Sequence, residues 1–221
     1  MRVILFGATG MVGQGALREC LLDDRVEAVL VVGRTPLGTS DPKLTEVVAE
    51  DLFAIEPITG YDACLFCLGT SSVGVKPEEY ERITYQLTLS VARKLPADTT
   101  FVYVSGAGTD STERGRVRWA RVKGATENAL AKLPLKAYSV RPGYIQPMGG
   151  VTSKTTLYRT LYRVAMPLYP ALRRLFPRFV TTNREIGLAM LEVAENGYQK
   201  PILENTDLVT AAARRARPAG S

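Results

Sequence analysis

Three glycines, Gly7, Gly10 and Gly13, follow directly on the apolar run from Arg2 to Phe6. That placement suits the binding of a pyrophosphate. In Gly7-Ala-Thr-Gly-Met-Val-Gly13, Gly7 turns the chain off a strand and Gly10 lets the backbone approach phosphate oxygens. Gly13 lets a helix pack closely on the strand, and Thr9, Met11 and Val12 complete the phosphate-facing turn. The free N–H groups and positive dipole end of a helix beginning at Met11 would point at the phosphates. The spacing is G-x-x-G-x-x-G rather than G-x-G-x-x-G, so an ordinary strand-to-helix turn is the competing reading. The second chemical position is Gly33-Arg34, at the end of the apolar run Val26 to Val32. An acidic residue there would hydrogen-bond the adenosine ribose of NAD. Instead a guanidinium follows, suited to charge-assisted pairing with a 2′-phosphate. The expected cofactor is therefore NADP(H).

The elements that must position these groups can be read in order. A strand from Arg2 to Phe6 and a helix from Met11 to Leu22 are followed by strands over Val26–Val32 and Thr45–Ala49. Asp51 and Leu52 then lie beside the adenine, with the carboxylate toward its exocyclic amine. The fourth strand, Asp62 to Leu68, is nearly all apolar, as a strand covered on both faces should be. Its end, Leu68-Gly69-Thr-Ser-Ser72, falls at the carboxyl edge where open α/β sheets bind ligands. One long helix is expected over Pro77–Leu95, then a strand over Thr99–Val104 ending in Ser105-Gly-Ala-Gly108. A helix over Val117–Leu133 and a strand over Lys136–Val140 follow, closed by Arg141-Pro142-Gly143-Tyr144. This alternation predicts a doubly wound parallel sheet, a Rossmann-type α/β fold, as one domain over residues 1–210. Asn183–Asn196 reads as a further helix and Pro201–Glu204 as an edge strand.

Residues 152–180 form a separate feature. Leu157, Leu161, Val164 and Leu168 share a helical face, with Arg159 and Arg163 off it, and three prolines cut the stretch. A small helical lid over the substrate is the first reading. A basic amphipathic surface over 154–178 for a lipid headgroup region or a protein partner is the second.

Composition bounds the rest. The chain has 221 residues, 46% hydrophobic, with a net charge of +6 and a pI near 9.3. Part of that charge lies in Arg214-Arg215-Ala-Arg217, expected to belong to a disordered basic tail over 211–221. Charge alone does not call for nucleic acid, and none is expected as a partner. Three cysteines and no histidine exclude His-based triads, make a metal site unexpected and fit reduced thiols in the cytoplasm. Cys64 and Cys67 form a C-x-x-C inside a strand, which reads as buried structural thiols rather than a redox pair. No stretch is long and apolar enough to span a bilayer.

Taken as an ordered set, these motifs resemble the short-chain dehydrogenase/reductases. The residues carrying the resemblance are the glycine turn, Gly33-Arg34, Ser105, and Arg141-Pro142-Gly143 at successive strand ends. Arg121-Val-Lys-Gly-Ala-Thr-Glu127, Tyr138-Ser-Val-Arg-Pro-Gly143 and Ile202-Leu-Glu-Asn205 are closer to the Tat-interacting oxidoreductase-like branch, over a span reaching about Val209. The resemblance implies an NADP(H)-binding protein with Pro142 and Gly143 near the cofactor and a substrate pocket above the strand ends. It also implies a Tyr-x-x-x-Lys pair with an upstream serine. Here the sequence is Trp119-Ala-Arg-Val-Lys123. Ser105 and Lys123 are in place to orient a substrate oxygen and hold the nicotinamide ribose. Indole, however, does not exchange a proton near neutral pH. Tyr144 is the substitute proton donor the sequence offers.

Two functions therefore stand side by side. One is an NADPH-dependent oxidoreductase with a degenerate site, acting on an unidentified small molecule. The other is a non-catalytic NADP(H)-sensing module that engages a protein partner. Ser105 and Lys123 favour the first, Trp119 the second.

Overall fold

The computed structural model describes residues 1–148, 174–175 and 178–216. Seven strands form one parallel sheet: β1 Arg2–Phe6, β2 Ala28–Gly33, β3 Leu44–Val48, β4 Ala63–Phe66, β5 Thr100–Val104, β6 Lys136–Arg141 and β9 Ile202–Glu204. Their spatial order is β3-β2-β1-β4-β5-β6-β9. The order reverses between β1 and β4, so their carboxyl ends diverge and open a crevice. Two short strands, β7 Tyr144–Gln146 and β8 Val180–Thr182, pair in parallel as a separate sheet.

Side-chain alternation divides the core into two halves. Val3, Leu5, Ala63, Leu65 and Val102 face one layer of helices: α1 Met11–Leu22, α5 Asn183–Asn196 and α6 Asn205–Arg215. Ile4, Phe6, Cys64, Phe66, Phe101 and Tyr103 face the other. That second layer is α2 Pro77–Glu81, a π-helical turn Arg82–Gln86, α3 Leu87–Ala92 and α4 Arg118–Leu130. A row of rings runs across this face, with Phe6–Phe66 and Phe66–Phe101 centroids 5.4 and 5.6 Å apart. Both faces of the central strands are thus covered, which explains their unbroken apolar character.

The glycines set the close approaches. Gly7 has φ of +80° and lies against the backbone of Cys67 and Leu68. A Cβ on Gly13 would stand 2.0 Å from the Gly7 carbonyl oxygen. Gly13→Ala must therefore separate α1 from β1, at a cost of about 1–3 kcal/mol measurable by urea denaturation. Gly15 and Gly187 serve another contact, letting α1 and α5 touch backbone to backbone.

Two expectations need correction. The helix over Pro77–Leu95 ends at Ala92 and is interrupted by the π turn. The tail expected to be disordered from residue 211 is helical through Arg215. Arg215 is fully buried and paired with Asp23 (2.7 Å) and with Glu195, partners distant in sequence that neutralise the guanidinium. The strand pair β7–β8 adds to the elements read from the sequence. The lid or surface segment over 152–180 lies outside the described residues, apart from 174–175 and 178–180.

Candidate functional site

At the carboxyl edge of β1, the glycine turn ends on the first turn of α1. The Gly10 N–H donates to the Gly7 carbonyl (2.9 Å), which locks the turn. The first bond into the helix runs from the Gln14 N–H to the Gly10 carbonyl (2.8 Å). Among the described residues, this leaves the N–H groups of Met11, Val12 and Gly13 without a backbone acceptor, aimed out of the helix end. A Cβ on Gly10 would meet only the Gly7 carbonyl oxygen, at 3.3 Å, and one on Gly69 would meet nothing within 4 Å. The turn is therefore open where a phosphate would rest. A cleft of about 410 Å³ starts here, lined by Gly7, Thr9, Gly10, Gly33, Arg34 and Gly69, among others. These groups fit a dinucleotide pyrophosphate.

The cleft continues into a cavity of about 270 Å³ at its far end, where Arg34, Asp51, Leu52 and Leu68 converge. Leu52 is buried and forms an apolar floor. The Asp51 carboxylate accepts the Phe53 N–H (2.9 Å), so its orientation is fixed. Arg34 is exposed and makes no hydrogen bond or ion pair with the described residues. Arg82, Phe53 and Glu79 also line this cavity, and sequence reading did not pick them out. They reach it from a loop and from the α2–π-turn segment, whose phase no simple helical pattern conveys.

The other end of the edge holds Ser105 and Lys123. The Lys123 ammonium donates to the Ser105 carbonyl (2.7 Å) and stands 5.7 Å from the Tyr103 ring centroid. Burial lowers its pKa to about 8, while the Glu127 charge pulls the other way. Ser105 is buried, and its hydroxyl lies 2.9 Å from that of Thr109, which donates to the Gly106 carbonyl (2.8 Å). Trp119 lies one helical turn before Lys123, half-buried, with its ring against the backbone of Gly108.

Pro142 and Gly143 complete this rim. The Pro142 carbonyl accepts the Ala107 N–H (2.9 Å), tying the end of β6 to the loop after Ser105. Gly143 donates to Asn205 Oδ1 (3.1 Å), and a Cβ there would collide with the Phe179 carbonyl. Tyr144 lies in the separate β7–β8 sheet, and its hydroxyl bonds Gln146 Oε1 at 3.1 Å. The structure thus brings Ser105, Lys123 and Trp119 together and places Tyr144 on a neighbouring element.

The cysteines take no part in this arrangement. Cys20 and Cys64 are buried, and the Cys67 thiol contacts the Met190 sulfur at 3.8 Å. Burial raises all three thiol pKa values, that of Cys20 to about 12, so they stay protonated. Among the described residues there is no metal-ligand cluster, and no helix is long and apolar enough to cross a membrane.

No protein-family model matches the chain. Protein fmp52-2, mitochondrial, of Aspergillus terreus is 26% identical over 166 residues, spanning 71% of this chain and 72% of that protein. Leucinostatins biosynthesis cluster protein T of Purpureocillium lilacinum is 28% identical over 122 residues; the match spans 51% of this chain and only 45% of that relative. Among solved structures, the Bordetella bronchiseptica enzyme WbmF, in complex with NAD+ and UDP, superposes with a TM-score of 0.64. The match has 15% identity over 96% of this chain and 76% of that one. A short chain dehydrogenase family protein from Francisella tularensis subsp. tularensis SCHU S4 gives a TM-score of 0.61 at 15% identity, over 92% and 95% of the two chains. The fold is that of the short-chain dehydrogenase/reductases. Within this fold, the parallel sheet covered by helices on both faces and the glycine turn after β1 match what the sequence predicts.

Proposed function

We propose that the chain binds NADP(H) along the cleft from Arg34 to Lys123 and is an oxidoreductase of the short-chain dehydrogenase type with a degenerate proton-transfer site. The observation that carries this reading is the Lys123–Ser105 contact, on the same sheet edge as the open glycine turn. The glycine turn holds the pyrophosphate, Asp51 and Leu52 flank the adenine, and Leu68 and Gly69 line the middle of the cleft. The cofactor, when bound, supplies or accepts a hydride. Lys123 hydrogen-bonds the nicotinamide ribose, Ser105 orients a substrate oxygen, and Pro142 and Gly143 bound the nicotinamide end. Trp119 stands where the family's tyrosine moves a proton and provides none.

That last feature favours a second reading, in which the chain senses NADP(H) without catalysis and passes the signal to a protein partner. The two readings share the cofactor and differ in turnover. A fold shared by many activities does not choose between them.

Cofactor preference is tested first. With Arg34 free at the end of β2, NADPH should bind more tightly than NADH by about ten- to a hundredfold. This corresponds to roughly 1.5–3 kcal/mol for a lost charge-assisted contact. Calorimetric titration of both cofactors, with Arg34→Ala alongside, measures it. Equal affinities in the parent protein would refute the NADP(H) assignment.

A further inference from the structure

The adenosine end of the cleft carries a second cation, and we infer that Arg82 grips the 2′-phosphate of the dinucleotide together with Arg34. This inference rests on the NADP(H) reading above. Arg34 and Arg82 enter the same cavity of about 270 Å³ from different elements, the end of β2 and the start of the π turn. Both are exposed, and neither is paired with a carboxylate among the described residues. Arg25, Arg141 and Arg215, by contrast, each hold an acidic partner.

The Arg82 guanidinium lies over the Phe53 ring, 4.8 Å from its centroid, and Phe53 lines the same cavity. The ring covers one side of the guanidinium, and Arg82 makes no hydrogen bond or ion pair with the described residues that would occupy its N–H donors. The ring also restricts the side chain beforehand, so less conformational entropy is lost when a phosphate is gripped. A fork of N–H donors then meets phosphate oxygens in the geometry arginine favours.

The acidic residues of the cavity explain why one arginine is not enough. Glu50, Asp51 and Glu79 all line it. The Asp51 carboxylate is held by the Phe53 N–H, but Glu79 is exposed and stands one turn before Arg82 on the same helical face. A phosphate monoester carries a charge of about −1.5 to −2 at neutral pH. Facing those carboxylates, a single exposed guanidinium leaves the ligand poorly compensated. Two guanidinium groups, one on each side, offset them. Arg82 is thus a specificity residue, selecting the 2′-phosphorylated cofactor.

The test is calorimetric titration of NADPH, NADH and 2′,5′-ADP into the full chain and into Arg82→Gln, Arg82→Lys and Arg34→Ala. Glutamine keeps much of the contact with Phe53 but not the charge. Arg82→Gln should weaken NADPH and 2′,5′-ADP about tenfold and leave NADH unchanged, with a smaller loss for Arg82→Lys. Thermal melting of the variants checks that they fold as the parent does. Unchanged NADPH affinity in Arg82→Gln, while Arg34→Ala alone erases the preference, would overturn the inference and leave the NADP(H) reading intact. Equal weakening of NADPH and NADH would also overturn it, making Arg82 a support for the adenine. No preference for NADPH in the parent would bring down both.

Discussion

Trp119→Tyr should raise carbonyl reductase activity above that of the parent protein by about 10²–10⁴-fold, the usual worth of a positioned general acid or base. The parent should bind NADPH yet reduce simple aldehydes and ketones very slowly. Residue 119 lies one turn before Lys123 on α4, and its ring packs on Gly108, three residues beyond Ser105. A phenol there stands near the Lys123 ammonium, whose charge favours the phenolate and lowers the phenol pKa. That assistance requires a protonated lysine. Because burial lowers the Lys123 pKa to about 8, the gained activity should fall as pH rises through that value. Tyr144→Phe is the control: its hydroxyl is bonded to Gln146, and its removal should not abolish the activity of the Trp119→Tyr variant. Rapid parent turnover, unaffected by Tyr144→Phe and not improved by Trp119→Tyr, would show that proton delivery lies elsewhere. NADPH consumption measured by absorbance, across pH 6–10, decides the matter.

Local signals in the sequence reached as far as local physics extends. The Arg2–Phe6 run and the glycines after it specify β1, the turn and α1, because a tight turn and a close helix need glycine at those positions. The apolar run around Cys64 to Phe66 likewise reads as a doubly covered strand. What escaped depends on distant partners. Arg214 and Arg215 look like part of a solvated tail until Asp23, nearly the whole chain away, receives the Arg215 guanidinium. Strands β7 and β8 are three residues each and acquire meaning only by pairing across more than thirty residues. Arg82 resembles any exposed helical arginine, since the π turn that starts there leaves no mark in the periodicity. The stack on Phe53, which gives that side chain its direction, is again a tertiary contact.

The same dependence on tertiary contacts governs the variant expected to cost most stability, Glu127→Ala. Glu127 lies on α4, one turn beyond Lys123, and its carboxylate is almost fully buried. It accepts two bonds from Arg141, at 3.0 Å from Nε and 2.5 Å from Nη2. Arg141 also reaches Ser111 Oγ (2.5 Å) and Glu204 (3.1 Å). The arginine of the Arg141-Pro142-Gly143 turn is thereby committed to structure, joining the end of β6 to the helix that carries Lys123 and Trp119. Removing Glu127 strands a guanidinium whose side chain is only 11% exposed, with Glu204 as its remaining carboxylate. Breaking such a pair from one side costs about 3–5 kcal/mol, which for a chain of this size lowers Tm by roughly 6–20 °C. Arg141→Met should do similar damage from the other side. The double variant Glu127→Met with Arg141→Met should recover much of the loss, because the Arg141 guanidinium is removed together with its partner; what remains is the Glu127 charge lost near the buried Lys123 ammonium. NADPH affinity should fall in each single variant and return in large part in the double, as α4, which carries Lys123, shifts and resettles. Single variants that melt within a degree or two of the parent would show that water or Glu204 compensates the exposed partner. In that case the pair does not hold α4 against the sheet.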